Sequence, residues 1–240
     1  MAQAEEKRGR ARYVRGLFDN IASRYDLANA VISLGRIKKW RQRLVDEITF
    51  RDSPLVVDLA TGTGDLALAI ARRFPEARIV GVDLSLEMMR RGREKARRAG
   101  LDGRISFVVA DVTALPFREG VADCVVDAFL LRHIPSLADA FVEFGRVLRP
   151  GGEVASLELT QPTNPLFRPV FGFLFRNLIP LLGGLVSGNY QAFRYLPRSL
   201  QPYPGHQALS AIMRGAGYEN VRWRLMWGGA VAVHAGAKPD

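Results

Sequence analysis

Apolar and polar positions follow two different periods along the chain, and the change comes near residue 54. Before it, apolar side chains recur every three to four positions, as in LFDNIASRYDLANAVISLG and IKKWRQRLVDEI. This spacing predicts amphipathic helices. After it, short runs rich in valine and isoleucine alternate with helical patterns. We therefore predict an N-terminal helical cap (residues 1–50) followed by an α/β domain (51–240).

The alternating part predicts a parallel sheet covered by helices on both faces. The chain closes on two strand-like runs joined near Gly228-Gly229, which predict an antiparallel hairpin at the sheet edge. The expected fold class is α/β, a doubly wound, mostly parallel seven-stranded sheet with that C-terminal hairpin. The predicted strands are LVVDLA, RIVGVDL, ISFVVAD, ADCVVDAFLL, EVASLEL and the two runs within VRWRLMWGGAVAVHAGAKP. The predicted helices are GDLALAIARRF, SLEMMRRGREKARRAG, LADAFVEFGRVL (stopped by Pro150-Gly151-Gly152) and HQALSAIMRGAGY.

Residues 162–205 break this rhythm with prolines, glycines and aromatic residues. We predict an α-helical insertion there, lying over the active end of the sheet. Its most apolar part, residues 165–188, is interrupted by Arg168, Arg176, prolines and glycines. No segment therefore has the roughly 20 uninterrupted apolar residues of a membrane span.

Composition and charge indicate which partners and which cellular compartment to expect. The 240 residues are 48% apolar, which suits one domain with a core. The net charge of +10 is concentrated near the N-terminus and in RRGREKARR (90–98). Such runs are either solvated faces or attract an anionic partner, such as lipid headgroups or nucleic acid. A single core-like cysteine, Cys124, and a charged N-terminus fit a cytoplasmic protein. The three histidines and one cysteine predict no metal site.

The stretch VVDLATGTGDLALAI (56–70) predicts a buried strand, a glycine turn and the start of a helix. Gly62, Gly64 and Ala67 fit the G-x-G-x-x-G/A pattern of nucleotide-binding turns. Asp83 ends the next strand, 21 residues after Gly62. A carboxylate there can accept hydrogen bonds from both ribose hydroxyls. These two features suit NAD and S-adenosylmethionine equally.

Three other features favour S-adenosylmethionine. Asp58 lies in the first strand beside the turn, where a carboxylate suits a cationic amino-acid group better than a pyrophosphate. Asp111 ends the third strand and can accept a hydrogen bond from an adenine amino group. The closing hairpin follows the strand order of a methyltransferase sheet. Taken singly, Asp58 or Asp111 also fits a capping or turn role.

With these features in place, the sequence resembles the ubiquinone/menaquinone biosynthesis C-methyltransferase family (UbiE/MenG) from about residue 16 to 236. The most specific match is YDLANAVISLGRIKKW (25–40), through its Tyr-Asp, Asn, Ser, Gly and Trp positions. The resemblance implies a Rossmann-like class I methyltransferase. It would methylate a ring carbon of a prenylated hydroquinone and release S-adenosylhomocysteine.

The resemblance also implies the site residues. Asp111-Val112 stands where many relatives have Asn-Ala, and Ala128 where relatives often have serine. Tyr25 lies on a helix expected to fold over the cofactor. The implied cofactor residues are Tyr25, Asp58, Gly62, Thr63, Gly64, Asp83, Leu84, Asp111, Val112 and Ala128.

The largest departure from the family lies in DAFLLRHI (127–134). The chain keeps Phe129 and Arg132, but has Leu130 and His133 where relatives have glycine and asparagine. The resemblance implies that Arg132 orients or activates a water that takes a proton. His133 is the better base by its ordinary pKa. The competing interpretations are a surface ion pair for Arg132 and a loop residue for His133.

The predicted partners follow from a polyprenyl acceptor, which is not soluble in water. The enzyme would take a lipid-soluble quinol from a membrane, through transient contact between its insertion and the inner face of the cell membrane. The same apolar surface could instead form a homodimer contact. One rival is the same chemistry on a phenolic natural product, a phospholipid amine or a sterol-like lipid. A nucleic-acid substrate is disfavoured, because no Asn/Asp-Pro-Pro-Tyr motif follows the fourth strand.

Overall fold

The computed structural model describes residues 2–49, 54–201 and 203–240. The side chains of residues 2–8, 10 and 11 also lie outside the described part of the chain. Three helices open the chain, α1 (Ala2–Ile21), α2 (Tyr25–Ile32) and α3 (Ile37–Glu47), in agreement with the helical periodicity. The predicted boundary at residues 50 and 51 lies outside the described residues. The division into cap and domain therefore stays a prediction.

Within the described residues, the sheet has seven strands in the order β3-β2-β1-β4-β5-β7-β6. The first five strands are parallel, and β7 runs antiparallel to both β5 and β6. This confirms the predicted fold class. The strands are β1 (Leu55–Leu59), β2 (Arg78–Asp83), β3 (Ile105–Val109), β4 (Ala122–Ala128), β5 (Leu148–Leu159), β6 (Glu219–Met226) and β7 (Val231–Ala237). The remaining helices are α4 (Asp65–Arg73), α5 (Leu86–Arg98), α6 (Leu137–Val147), α7 (Phe167–Ser187), α8 (Tyr190–Leu200) and α9 (His206–Gly215), with short 3₁₀ turns at Leu131–His133 and Trp227–Gly229.

Successive strands are added on one side of β1 up to β3 and then on the other side from β4 onward, so β1 pairs with β2 on one side and with β4 on the other. The crossover from β1 to β2 and the crossover from β4 to β5 therefore lie on opposite faces of the sheet, and a crevice opens at the carboxyl ends of β1 and β4. Ligands of doubly wound sheets bind in such crevices. The core lies below it, where Cys124, Phe141 and Phe144 are fully buried.

One local expectation needs correction. The fifth strand begins at Leu148 and includes the Pro-Gly-Gly segment, rather than starting at Glu153. Leu148 pairs with Ala122 before a register shift, so the strand absorbs the turn residues as an irregularity at its start.

The predicted α-helical insertion is confirmed, since it contains α7 and α8. Its prolines and glycines do not break it, because α7 runs unbroken through 21 residues. Pro169 lies in the first turn, where no intrahelical N–H is needed. By length and composition, α7 is the one helix among the described residues able to cross a membrane, with 33% of its most apolar window buried.

Candidate active site

A cavity of about 370 Å³ lies in the crevice at the carboxyl ends of the parallel strands. The structure brings most of the predicted cofactor residues together on its wall, with His133 beside them. The predicted residues on the wall are Tyr25, Gly62, Asp83, Leu84, Asp111, Val112 and Ala128. Four other predicted residues, Asp58, Thr63, Gly64 and Arg132, lie behind this wall.

The glycine turn is held directly by Asp83. Gly62 has φ +56° and its N–H donates to Asp83 Oδ2 at 2.8 Å. The other oxygen, Oδ1, accepts from the N–H of Ser85 at 2.8 Å. Burial raises the pKa of Asp83 against these backbone hydrogen bonds. The carboxylate is thereby fixed at the cavity wall, with remaining lone pairs available to a diol.

The residues behind the turn support its shape. Asp58 is buried and accepts a hydrogen bond from the Thr61 hydroxyl at 2.7 Å. Burial raises the pKa of Asp58 to about 7. Gly64 has φ +75° and precedes α4, a conformation that favours glycine. Asp58 thus has the turn-supporting contact that the alternative interpretation expected.

Asp111 also makes a local turn. Its Oδ1 accepts from the N–H of Thr113 at 2.9 Å and from its hydroxyl at 2.7 Å. This is the geometry of an Asx turn. Because Asp111 lies on the cavity wall as well, the turn holds the carboxylate at the rim, where it can still accept a hydrogen bond.

Helices α1 and α2 cover the cavity. Tyr25 packs edge to face against Phe18, with ring centroids 5.9 Å apart. Asp26 accepts a hydrogen bond from Thr63 Oγ1 at 2.6 Å and forms an ion pair with Lys95 at 2.9 Å. A second contact joins the Asp19 carboxylate to the Ser85 hydroxyl. The cover is therefore tied to the glycine turn and to the start of α5.

Sequence reasoning missed most of this cover. Phe18, Asp19 and Ser85 lie in segments with no nucleotide-binding signature. Asp26 follows Tyr25 in the resemblance motif, and that adjacency was the available signal. Lys95 belongs to the basic run that the sequence analysis interpreted as a solvated face or a site for an anionic partner, and neither interpretation indicated its ion pair with Asp26.

A strained backbone conformation joins β4 to the part of the cavity wall that contains His133. Phe129 has φ +65°, uncommon for a bulky residue, and its N–H donates to the Leu157 carbonyl at 2.7 Å. A 3₁₀ turn follows and presents His133 to the cavity. His133 Nδ1 lies 3.1 Å from the Tyr195 hydroxyl, and the two rings stack at 5.4 Å. The insertion thus reaches the site through Tyr195.

Arg132 points the other way from His133. Its side chain forms a buried ion pair with Glu158, rather than the surface ion pair considered from sequence. Its backbone N–H also donates to Glu158 Oε2, at 3.3 Å. The guanidinium lies 5.8 Å from the ring centroid of Phe129, a cavity residue. Burial raises the pKa of Glu158, and the Arg132 charge opposes that shift.

The side chains around the cavity limit which ligands it can hold. No group of three or more His, Cys, Asp or Glu side chains among the described residues could hold a metal ion. The cavity fits an adenosyl ligand instead, because it combines close approach to the Gly62 backbone with fixed carboxylates at the ends of β2 and β3.

Fold and site together define a class I S-adenosylmethionine-dependent methyltransferase. Solved structures with the same fold include a SAM-dependent methyltransferase from Aquifex aeolicus (TM-score 0.63, 14% identity, 88% of this chain and 97% of that one). Another is phosphoethanolamine N-methyltransferase 2 of Haemonchus contortus in complex with S-adenosyl-L-methionine (TM-score 0.62, 16% identity, 86% and 53%). At these identities the likeness shows the fold alone.

The chain belongs to the ubiE/COQ5 methyltransferase family, whose family model matches residues 1–238. It is 43% identical to the demethylmenaquinone methyltransferase of Thermus thermophilus over 93% of this chain and 100% of that protein. It is 40% identical to the ubiquinone/menaquinone biosynthesis C-methyltransferase UbiE of Syntrophotalea carbinolica, over 93% of each chain. Its methyl donor is S-adenosylmethionine.

Proposed function

We propose that this enzyme transfers a methyl group from S-adenosylmethionine to a ring carbon of a prenylated hydroquinone in quinone biosynthesis. The relatives named for this reaction match nearly the whole chain. The observation that carries the proposal is the acceptor side of the cavity, where apolar and aromatic side chains lie beside the imidazole ring of His133. This wall includes Phe18, Phe129, Leu130, Ile134 and Pro135.

The cofactor roles follow the geometry of the wall. Asp83 is proposed to accept the ribose hydroxyls, and Asp111 the adenine amino group. Gly62 permits close approach of the ligand to the backbone, while Leu84, Val112 and Ala128 supply apolar contact. Asp58, Thr63 and Gly64 act from behind by holding the turn. The bound cofactor supplies a methyl group on a positively charged sulfur, which is already a good electrophile.

The protein aligns the acceptor and manages its protons. Only a reduced ring is reactive, because an ionised hydroxyl pushes electron density onto the adjacent carbon. His133, on the cavity wall and oriented by Tyr195, is proposed to take the hydroxyl proton and to return it after transfer. Arg132 is proposed to orient a water on the far side of Phe129, since a guanidinium hardly deprotonates.

The membrane contact is proposed to lie along α7. Large apolar side chains on its outer face are exposed, and its inner face packs on α2 and α8. A helix packed in this way suits the bilayer interface better than a crossing. Arg168 and Arg176 are placed to meet anionic headgroups. The exposed residues are Leu166, Val170, Phe173, Leu174, Leu178, Leu181 and Leu185.

This surface supports a peripheral location at the inner face of the cell membrane. A homodimer across the same stripe is the competing use of these side chains. Multi-angle light scattering with and without liposomes separates the two, because a dimer would hide the stripe from lipid.

The decisive test is methyl transfer from labelled S-adenosylmethionine. The acceptors are demethylmenaquinol and a demethylated ubiquinol precursor, each kept reduced and presented in liposomes. Label in one of the two rings supports the proposal and identifies the ring. Binding of S-adenosylmethionine without label in either ring would overturn the quinol assignment. Phenols, phospholipid amines and sterol-like lipids would then be the acceptors to assay.

A further inference from the structure

A polar chamber is buried on one face of the sheet, behind Arg132. Asp127 pairs in register with Ser156, so their side chains share a face. Side chains alternate along a strand, so Glu158 and Thr160 lie on that face too. The Asp127 carboxylate accepts a hydrogen bond from the Ser156 hydroxyl, and Glu158 pairs with Arg132. Polar residues in this position interrupt an otherwise apolar core.

Several polar atoms of this chamber lack a hydrogen-bond partner within the described part of the chain. They are Asp127 Oδ1, Arg132 Nε, Thr160 Oγ1 and Tyr203 Oη. All four residues are less than one-tenth exposed. Buried polar atoms in proteins almost always have a partner, and internal water supplies it where protein does not. The arrangement therefore favours ordered water between these side chains.

The charges in the chamber favour an additional proton. Two carboxyl groups, Asp127 and Glu158, face one guanidinium, Arg132. Burial raises the pKa of Asp127 well above its ordinary value, and the neighbouring Glu158 charge adds to the shift. Burial likewise raises the pKa of the Tyr203 hydroxyl well above its ordinary value, and the two carboxylates raise it further.

The chamber lies one residue layer from the cavity. The Arg132 guanidinium lies 5.8 Å from the centroid of the Phe129 ring. Phe129 also lines the cavity. The charge of Arg132 also acts on the Tyr25 hydroxyl at the cavity. Phe129 therefore lies between the cavity and the Arg132 guanidinium.

We infer that this chamber receives the proton that leaves the methylated ring carbon, with Glu158 accepting it through a water held on Arg132 Nε. The inference rests on the proposed function. In it, Arg132 and Tyr203 are positioning residues for the water. Asp127 is the second carboxyl group of the chamber, held by its hydrogen bond with the Ser156 hydroxyl.

The step balances without a further reagent. The π pair of the ionised ring forms the new carbon–carbon bond, and the pair of the broken carbon–sulfur bond stays on sulfur. The ring carbon then carries both methyl and hydrogen. Its C–H pair returns to the ring, and the proton passes to water while a proton of that water passes to Glu158. The hydroxyl proton held by His133 returns to oxygen, so one proton is released overall.

The test compares Glu158→Gln with the wild type, using acceptor deuterated at the methylated carbon. We expect kcat to fall at least 100-fold, within the range of proton-transfer catalysis. A primary isotope effect absent from the wild type should appear, because proton loss becomes rate-limiting. Affinity for S-adenosylhomocysteine, measured by calorimetry, should change less than about twofold, since Glu158 lies off the cavity wall. Glu158→Asp, which keeps the carboxylate, should recover part of the rate and lose the isotope effect.

Glu153→Gln is the matched control. Glu153 lies on the same strand and is ion-paired with Arg222 at 3.2 Å, outside the chamber. It should leave kcat and the isotope effect unchanged. Should Glu158→Gln fail to fold by circular dichroism, Tyr203→Phe removes one hydroxyl of the chamber and must show the isotope effect instead.

The outcomes separate the two proposals. A wild type that methylates no quinol overturns the proposed function. A wild type that methylates quinol, together with a folded Glu158→Gln that keeps its rate or shows no isotope effect, overturns the chamber assignment alone.

Discussion

The cofactor end and the acceptor end of this cavity are built by different means. At the cofactor end, backbone N–H groups and short turns hold the carboxylates, as in the bond from Gly62 to Asp83, 21 residues apart. At the acceptor end, aromatic rings and one buried ion pair join distant segments. His133 meets Tyr195 across 62 residues. The cofactor end therefore depends on backbone geometry. The acceptor end depends on side chains that can be exchanged without rebuilding the sheet.

The largest expected effect is a loss of kcat without a loss of cofactor affinity, and it tests the acceptor end. Arg132→Lys keeps the charge opposite Glu158 but removes the planar fork and Nε. We expect kcat to fall about 100-fold or more, as for loss of a proton-transfer group, with affinity for S-adenosylmethionine nearly unchanged. Steady-state kinetics and calorimetry measure both. A large loss of cofactor affinity would instead assign Arg132 to cofactor binding.

The corresponding test of the cofactor end is Asp83→Asn, which should lower cofactor affinity. It leaves the N–H of Gly62 or Ser85 facing an amide donor and removes the charge offered to the ribose. Loss of charged hydrogen bonds of this kind costs about 1.5–3 kcal/mol, or about 10-fold to 150-fold in Kd. The exposed Asp102 is the control, and Asp102→Asn should bind as the wild type. Unchanged cofactor affinity in Asp83→Asn would remove Asp83 from the site.

The membrane surface is tested by Leu181→Asn with Leu185→Asn. Both side chains are more than half exposed on α7, so their replacement should spare the fold. Burial of a leucine contributes about 1.5–3 kcal/mol, so liposome partitioning should fall at least about 10-fold. Activity on a short-chain soluble quinol should remain. The control is Val142→Asn on α6, whose side chain is 60% exposed. Equal loss in both variants would contradict an interface along α7.

Substitution of two glycines tests whether a packing change at one end of the cavity affects the other end. In Gly183→Ala, the new Cβ would overlap the Phe193 ring between α7 and α8, and in Gly92→Ala it would meet Phe107 at 2.7 Å. Overpacking of this kind costs about 1–3 kcal/mol, measured by thermal unfolding. We expect Gly183→Ala to raise the KM for quinol and spare cofactor affinity, and Gly92→Ala to do the reverse. Gly215→Ala, with open space at its Cβ, is the control. The same kinetic change in both variants would show that the two ends are not independent.

The smallest expected effect concerns pH. The pKa of Asp58 is raised from 3.8 to about 7 in the folded protein, so the folded state binds this proton more tightly than the unfolded chain. Its stabilising contribution is present in acid and is lost as pH rises from about 4 to about 7. Asp58→Asn should flatten this part of the stability profile of the cofactor-free protein, measured by urea unfolding. Parallel profiles for variant and wild type would show that Asp58 ionises normally.

Prediction from sequence succeeded best where contacts are local. The order of helices and strands along the chain, the glycine turn and the positions of Asp83 and Asp111 follow from periods and spacings within a few tens of residues. The contact of Tyr195 with His133 was not predictable, since it joins residues 62 positions apart through the packing of α8 against the site. The roles assigned to Arg132 and His133 stay predictions, although the structure shows that their side chains leave the backbone in different directions.

The sequence by itself determined the fold class, the element order and the nucleotide-binding turn, because hydrophobic period, glycine and strand-end carboxylates act over short range. Only the tertiary structure decided which way Arg132 points, what covers the cavity, and that α7 is one continuous helix with an exposed apolar face. These features depend on strand register and on packing between segments far apart in the chain. One residue of register reverses the face to which a side chain belongs, and no local pattern specifies it.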